Sequence, residues 1–222
     1  KMKEILIFGS GGHAKVIYSE IIKNKKLKFL GFVDEKKKKG EIIINQKKKY
    51  YNLGKISEVI KKKNNFNGII GIGLNFIRQK VYKDIISLDI NFKFEKVISK
   101  NAIVDPDVIV GDGSLIVAGS VINIGTKIGN HCIINTSCSI DHDNIFEDFS
   151  STGPGVITGG NVIVRKNSYI GMGSTIKQGI KIQNDTVIGA HSYVNKNCEK
   201  KSIYYGSPLK KIRKRIKTEN YL

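Results

Sequence analysis

The stretch from Ile98 to Val194 repeats with a period of six. Every sixth position holds Ile, Val or Phe, broken only by Thr152 and Thr158, and the register never slips. Four residues beyond each comes a second series, Ala102, Val108, Ser114, Ser120, Thr126, Cys132, Cys138, Asn144 and onward to Cys198, in which nearly all side chains are small or β-branched. A period of six is neither the ~3.6 of a helix nor the ~2 of a lone strand. It describes a parallel β-helix of short strands, where one unit cannot bury its own apolar face and must stack on the next. The large aliphatic points into the coil, and the small residue also turns inward, where a large one would not fit. The Gly, Asn and Asp residues that follow the aliphatic (Asp105, Gly111, Asn123, Gly129, Asn135, Asp141, Gly171, Gly189, Asn195) are expected to take the turns, at positive φ.

Ahead of the repeat lies a different pattern. Glu4 to Phe8 is a short, nearly continuous apolar run, as in a buried parallel strand. Gly9-Ser10-Gly11-Gly12-His13 follows at once, and Ala14 to Asn24 reads as a helix with Val16, Ile17, Tyr18 and Ile21 inward. Strand, glycine-rich turn and helix form the arrangement that cradles phosphates on free backbone N–H groups. Leu27 to Val33 reads as a second strand ending in Asp34-Glu35, at the carboxyl end where such sheets bind ligands. Lys36 to Gly40 reads as a polar loop, Ile56 to Lys63 as a helix, Gly68 to Gly73 as a strand running into a turn, and Asn75 to Ser87 as a helix. The expected organisation is a small Rossmann-like βαβαβ domain over residues 1–95, then the β-helix with a basic C-terminal tail over residues 96–222. In that tail Tyr204 to Lys210 would turn the chain off the coil and Ile212 to Tyr221 would form a short helix. The spacing of Gly9, Gly11 and Gly12 falls short of a full dinucleotide fingerprint, even with Asp34 in place of the ribose carboxylate, and the domain is too short for a complete dinucleotide fold.

The formal charge of +19 arises from 38 Lys and Arg against 19 Asp and Glu. Most of the excess is Lys in runs such as Lys36–Lys39, Lys47–Lys49 and Lys61–Lys63, with no interleaved aromatics and no recognition-helix pattern, so solvated faces are favoured over nucleic-acid binding. Cys132, Cys138 and Cys198 all fall in the small-residue series. They are expected to be packed free thiols in a reducing cytoplasm, with Cys132 and Cys138, one hexad apart, stacked on each other. No signal peptide is expected, because Lys1-Met2-Lys3-Glu4 leads directly into a strand, and no apolar run has the length of a membrane span.

His142 stands out among the four histidines. Asp141 and Asp143 flank it, and a carboxylate on one ring nitrogen fixes the tautomer and raises the basicity of the other. It also precedes the part of the repeat that loses its aliphatics, Thr152 and Thr158, with Gly153, Gly155, Gly159 and Gly160 alongside. A break in an otherwise regular repeat points to a site. His13 closes the glycine loop, while His131 and His191 occupy turns of the repeat.

Taken in order, GSGGHAKV after the first strand, FVDE, GIGLNFIRQK, INTSCSIDHD, GNVIV and the closing YGSPLKKI resemble the NeuD sialic acid O-acetyltransferase and PglD bacillosamine N-acetyltransferase family, over essentially the whole chain. The resemblance implies a left-handed coil, acetyl-CoA as co-substrate, no metal, and a homotrimer with the coenzyme in the groove between adjacent β-helices. It implies acetyl transfer to a nucleotide-linked amino sugar, or alternatively to the hydroxyl of a sialic acid or other sugar. It makes His142 the general base and Asp143 its tuning acid. Gly11, Gly12, His13, Asp34, Glu35 and Gly73 would hold the sugar nucleotide, and Ser151, Met172 and Ala190 would contact the coenzyme. Two departures stand out: Asp143 is shorter than the family's Glu, and Ser151 replaces a histidine.

In such a reaction His142 takes the proton of the attacking amine or hydroxyl, with an oxyanion donor placed at the backbone of Gly159 or Gly160. A γ-type carbonic anhydrase would share the β-helix and bind zinc through three histidines, but His131, His142 and His191 do not fall on one level of the coil. A non-catalytic sugar-nucleotide-binding scaffold is the remaining class, and the His142–Asp143 pair argues against it.

Overall fold

The computed structural model describes residues 2–61, 65–216 and 218–221, and divides into two compact units, Lys1–Gly73 with Ile77–Val97 and Leu74–Phe76 with Ile98–Leu222. The elements before the repeat are β1 (Lys3–Phe8), α1 (Gly12–Lys23), β2 (Leu27–Val33), β3 (Ile42–Asn45), β4 (Lys49–Tyr51), α2 (Ile56–Ile60), β5 (Asn67–Ile70) and α3 (Asn75–Leu88). β1 sits at the centre of a parallel sheet in the order β2-β1-β5. Its Ile5, Leu6, Ile7 and Phe8 are all buried, as a central strand covered on both faces requires. α1 begins at Gly12 rather than Ala14 and buries Ala14, Ile17, Tyr18, Glu20 and Ile21. Val16, expected inward, is 37% exposed, because the inward stripe is phased from Ala14. The antiparallel β3–β4 hairpin was not expected from sequence; Tyr50 secures it, packing on Tyr18 and Phe29 with ring centroids 5.3 and 4.8 Å apart. α2 is shorter than the expected helix, whose Lys62 and Lys63 lie outside the described residues.

The repeat is a parallel β-solenoid. Two-residue strands run from Val97–Ile98 to Tyr193–Val194, and those up to Thr175–Ile176 pair with the strand three hexads on, as in Val121↔Ser139 and Lys127↔Ile145. Three hexads therefore close one coil, and the strands form three faces. The first carries Leu115, Ile133, Ser151, Tyr169 and Val187, the second Val121, Ser139, Ile157 and Thr175, the third Ile109, Lys127, Ile145 and Ile163. The aliphatic series fills the interior, from Val110 through Ile116, Ile122, Phe146 and Ile170 to Val194.

The small-residue series is inward too, and much of it is hydrogen-bonded. Ser114 Oγ donates to Gly129 O at 2.7 Å and accepts from Cys132 N at 2.8 Å, linking successive coils. Ser168 and Ser174 repeat the arrangement. The stacked partner of each residue lies 18 positions away, so Cys132 and Cys138 do not stack on each other. Cys132 sits against Ser114 and Ser150, and Cys138 against Thr152. All three thiols are free and buried, and burial pushes Cys198 up to about 12.

The positive-φ position is not the residue after the aliphatic. It falls two residues later, at Gly113, Gly119, Gly125, His131, Ser137, Asp143, Phe149 and their successors. Glycine at 111, 129 and 171 has a different cause: the next coil's backbone occupies the space. A Cβ on Gly111 would lie 2.5 Å from Gly129 C, and one on Gly171 would lie 2.5 Å from Ala190 N.

The C-terminal segment also differs from expectation. Ser202–Tyr205 continues the first face, with Val187↔Ile203 in parallel register, and Lys210–Lys214 is an antiparallel strand on it rather than a short helix. Tyr204 and Leu209 close the interior. Among the described residues, no helix is long and apolar enough to cross a membrane.

Candidate active site

His142 lies in the corner between the second and third faces, in the turn Asp141–Asn144 that joins strands Ser139–Ile140 and Ile145–Phe146. Asp143 occupies the left-handed position at φ 57°, a conformation that Asp tolerates better than most residues. There it meets its neighbour: His142 Nδ1 and Asp143 Oδ2 are 2.8 Å apart. The shorter carboxylate therefore reaches. An ionised carboxylate only accepts, which puts the proton on Nδ1 and leaves Nε2 as the basic nitrogen. The bond to Asp143 is the main cause holding the imidazole above its ordinary pKa; desolvation opposes it, and the charges of Asp141 and Asp143 add to it. The ring stands over Gly160, where a Cβ would fall 2.5 Å from both Cε1 and Nε2. Glycine at 160 is thus a condition for the imidazole to lie where it does.

Beneath the exposed ring is a polar network, buried at Asn144 and Thr126, that the repeat alone did not reveal. Asp141 Oδ1 accepts from His142 N at 2.8 Å and from Asn123 Nδ2 at 3.2 Å. Asn144, fully buried, donates from Nδ2 to Asp141 O, His142 O and Gly159 O at 2.6, 3.2 and 3.0 Å. Thr126 Oγ1 donates to Asp141 O at 3.0 Å. An amide in an otherwise small or aliphatic series was the one sequence signal for this network.

The coil ladder changes here as well. In corner after corner the N–H following the inward aliphatic donates to a carbonyl one coil on, as in Asn123 N to Ile140 O, Gly129 N to Phe146 O and Glu147 N to Val164 O. Asn135 N instead donates to Thr152 Oγ1 at 3.0 Å, and Asp141 N to Thr158 Oγ1 at 3.3 Å. The two threonines that interrupt the aliphatic series are buried and serve two successive corners, of which Asp141's is the one that carries His142.

Met172 and Ala190 are both exposed and lie one above the other on the edge between the first and second faces; His191 N donates to Met172 O there. Ser151 is buried on the first face, and its hydroxyl donates to Asn75 Oδ1 at 2.6 Å. Within one chain, then, His142 and the Met172–Ala190 pair stand on different edges. His131 is buried against Phe149, rings stacked 5.0 Å apart, on the remaining edge. The three solenoid histidines thus occupy three separate edges, and no group of three metal-binding side chains is formed among the described residues.

In the first unit, Gly9 takes φ 106° and donates to Val33 O at 2.8 Å, which turns the chain into α1. No side chain caps α1 at Gly11. A Cβ on Gly11 or Gly12 would meet nothing within 4 Å, so the helix N-terminus faces open space. Asp34 is tied internally, accepting from Ser10 Oγ at 2.6 Å and Lys36 N at 2.8 Å. Glu35 accepts from Ile56 N at 2.9 Å, at the start of α2. Gly73 O and Ile72 O each accept from the Arg78 guanidinium at 2.9 Å. His13 has a buried Nε2 without a hydrogen-bond partner. Burial, with the nearby Arg78 charge, brings its pKa down to about 4, so the imidazole is neutral near pH 7.

Residues 4–85 match the family model described as the PglD N-terminal domain. The chain is 30% identical over 123 residues to the GDP-perosamine N-acetyltransferase of Escherichia coli O157:H7, a match covering 54% of this chain and 53% of that protein. It thus spans about half the length of that curated relative. The acetyltransferase domain of PglB from Neisseria gonorrhoeae FA1090 superposes with a TM-score of 0.85 at 23% identity, over 95% of this chain and 100% of that one. PerB from Caulobacter crescentus, solved in complex with CoA and GDP-perosamine, superposes with a TM-score of 0.84 at 25% identity, over 96% and 98% of the two chains.

Proposed function

The chain belongs to the PglD/NeuD family of hexapeptide-repeat acyltransferases, its solenoid being that family's left-handed β-helix, and we propose that it transfers the acetyl group of acetyl-CoA to the amine of a nucleotide-linked amino sugar. The observation that carries the reading is the His142–Asp143 pair, with Nδ1 bonded to the carboxylate and the ring seated over Gly160. The amine nitrogen attacks the thioester carbonyl while Nε2 of His142 accepts the amine proton. The C–N bond forms, the carbonyl becomes an oxyanion, and collapse expels the coenzyme thiolate, which takes the proton back from the imidazolium. Of the two backbone donors considered for the oxyanion, Gly159 N–H is already committed to Ile176 O at 2.9 Å, which leaves Gly160. The buried thiols, with Cys138 and Cys198 both pushed up by burial, are poor nucleophiles, and direct transfer needs none.

GDP-perosamine bound to PerB supports an amine acceptor over a sugar hydroxyl. Gly11, Gly12 and the neutral His13 would take the nucleotide's diphosphate at the uncapped start of α1. Asp34, Glu35 and Gly73, whose bonds shape the surrounding loops, would frame it. Met172 and Ala190 would line the coenzyme's path, and the buried Ser151 would act through Asn75 rather than by direct contact. Since His142 and Met172 stand on different edges, a complete site needs a second copy, which supports a homotrimer with the coenzyme between adjacent solenoids. The test is thiol release from acetyl-CoA against a panel of amino-sugar nucleotides, run beside light scattering. Turnover by a trimer, reduced about 10²–10⁴-fold in His142→Ala with little change in KM, is expected. A stable monomer, or a His142→Ala variant keeping more than about a third of wild-type turnover, would overturn the reading.

A further inference from the structure

We propose that Thr158 is a positioning residue for His142, its buried hydroxyl engaging the Asp141 amide and setting the turn from which the imidazole projects. The inference rests on the proposed role of His142 as base. Its ground is the hydrogen-bonding of the corner. At most corners the N–H continues the ladder to a main-chain carbonyl, as at Asn123 and Glu147; at Asp141, as at Asn135, it bonds a threonine Oγ1, here that of Thr158. A side-chain hydroxyl presents its lone pairs from a different point than the carbonyl of the same residue, so an amide that donates to it is aimed differently. Asp141 is the first residue of the turn, and the turn is held at further points by Asn144 and Thr126. His142 N is fixed in turn by Asp141 Oδ1. The chain from Thr158 through Asp141 to His142 is therefore a short series of hydrogen bonds, buried at its root and exposed at the imidazole.

The interior does not need a hydroxyl at this place. Val104, Val110, Val164 and Val194 occupy inward positions of the same series, so valine at 158 has the right size and shape. What valine lacks is the acceptor. The Asp141 amide would then be left with the carbonyl of residue 158, the acceptor used by the corners at Asn123, Gly129 and Glu147, and the turn would follow.

Thr158→Val tests this, with Thr158→Ser as the variant that keeps the hydroxyl. Thr158→Val should fold with an undiminished melting temperature and lose about tenfold to a hundredfold in kcat, the cost of misplacing a base by up to ~1 Å, with KM for both substrates little changed. Thr158→Ser should stay within a few-fold of wild type. NMR titration of the His142 imidazole supplies a readout independent of turnover. Asp143 at 2.8 Å and the nearby Asp141 are the charges that act on it, and its midpoint should move in Thr158→Val but not in Thr158→Ser. Wild-type turnover and titration in Thr158→Val, or equal losses in the two variants, would overturn the inference. A shifted titration in Thr158→Val beside full activity in His142→Ala would sink the catalytic reading and leave the positioning standing.

Discussion

Replacing Gly160 by alanine should disable the imidazole without touching it chemically. The added Cβ would fall 2.5 Å from His142 Cε1 and Nε2 and 3.1 Å from Cδ2, whereas ordinary contact begins at 3.4 Å. The obstacle is an exposed side chain, so the ring gives way rather than the backbone, and it must retreat by roughly 1 Å. That movement strains the 2.8 Å bond to Asp143 and carries Nε2 off its line to the acceptor. A misplacement of about 1 Å can cost 10²-fold, or ~2.7 kcal/mol in the barrier. Gly160 is not among the positive-φ residues, so alanine adds no backbone strain and the melting temperature should hold. Steady-state thiol release should show kcat reduced about 10²-fold with KM nearly constant. The control is the double variant: in a His142→Ala background there is no ring to displace, and Gly160→Ala should cost nothing further. Retention of more than about a third of turnover in the single variant, or an equal loss in both backgrounds, would refute the reasoning.

Asp143→Asn removes the main cause that raises the His142 pKa. Only the neutral imidazole accepts a proton, so the acid limb of kcat/KM, which lies above the ordinary histidine value in the wild type, should move to lower pH. The plateau should fall about tenfold to a hundredfold, and an unmoved midpoint would show that Asp143 does not tune the base. A Cβ on Gly11 would meet no atoms within 4 Å, so in Gly11→Val the fold should persist while the branched side chain projects into the space before α1. The KM for the sugar nucleotide should rise with the KM for acetyl-CoA unchanged, and equal rises in both would point to general damage.

The inward residues of the solenoid were legible because a period of six labels every position. What that period does not contain is the number of hexads in a coil, and hence which residue lies above which. Cys132 and Cys138 share a series, yet they face different coil neighbours, Ser150 and Thr152. The glycines at 111 and 171 were rightly seen as special, but crowding by the next backbone, not a left-handed turn, is the cause. His142 and Asp143 were readable as a pair because they adjoin in sequence. Gly160, which makes room for the ring, lies one coil away and became visible only with the stacking. The Ser151–Asn75 bond joins residues 76 positions apart, beyond anything a local pattern records. Asn144 and Thr158 were visible as exceptions to their series, but their hydrogen-bond partners were not.

A parallel solenoid has no intrinsic length, since its last coil offers the same ladder of unpaired groups that every earlier coil offered to its successor. Such an edge invites another molecule to continue the stack, which is the route to filaments. On the first face this chain closes that route. The strand Lys210–Lys214 runs antiparallel to Ser202–Tyr205, so a further parallel coil would find the wrong polarity. Every residue of that strand is exposed and all but Ile212 are cationic, with Lys211 and Arg213 paired to Glu199 and Glu219, so the edge is strongly polar and does not invite apolar stacking. Tyr204 and Leu209 meanwhile cover the apolar column that a growing fibre would bury. Removing the cations from this strand would leave the reversed polarity and the Tyr204–Leu209 cover as the remaining barriers to stacking.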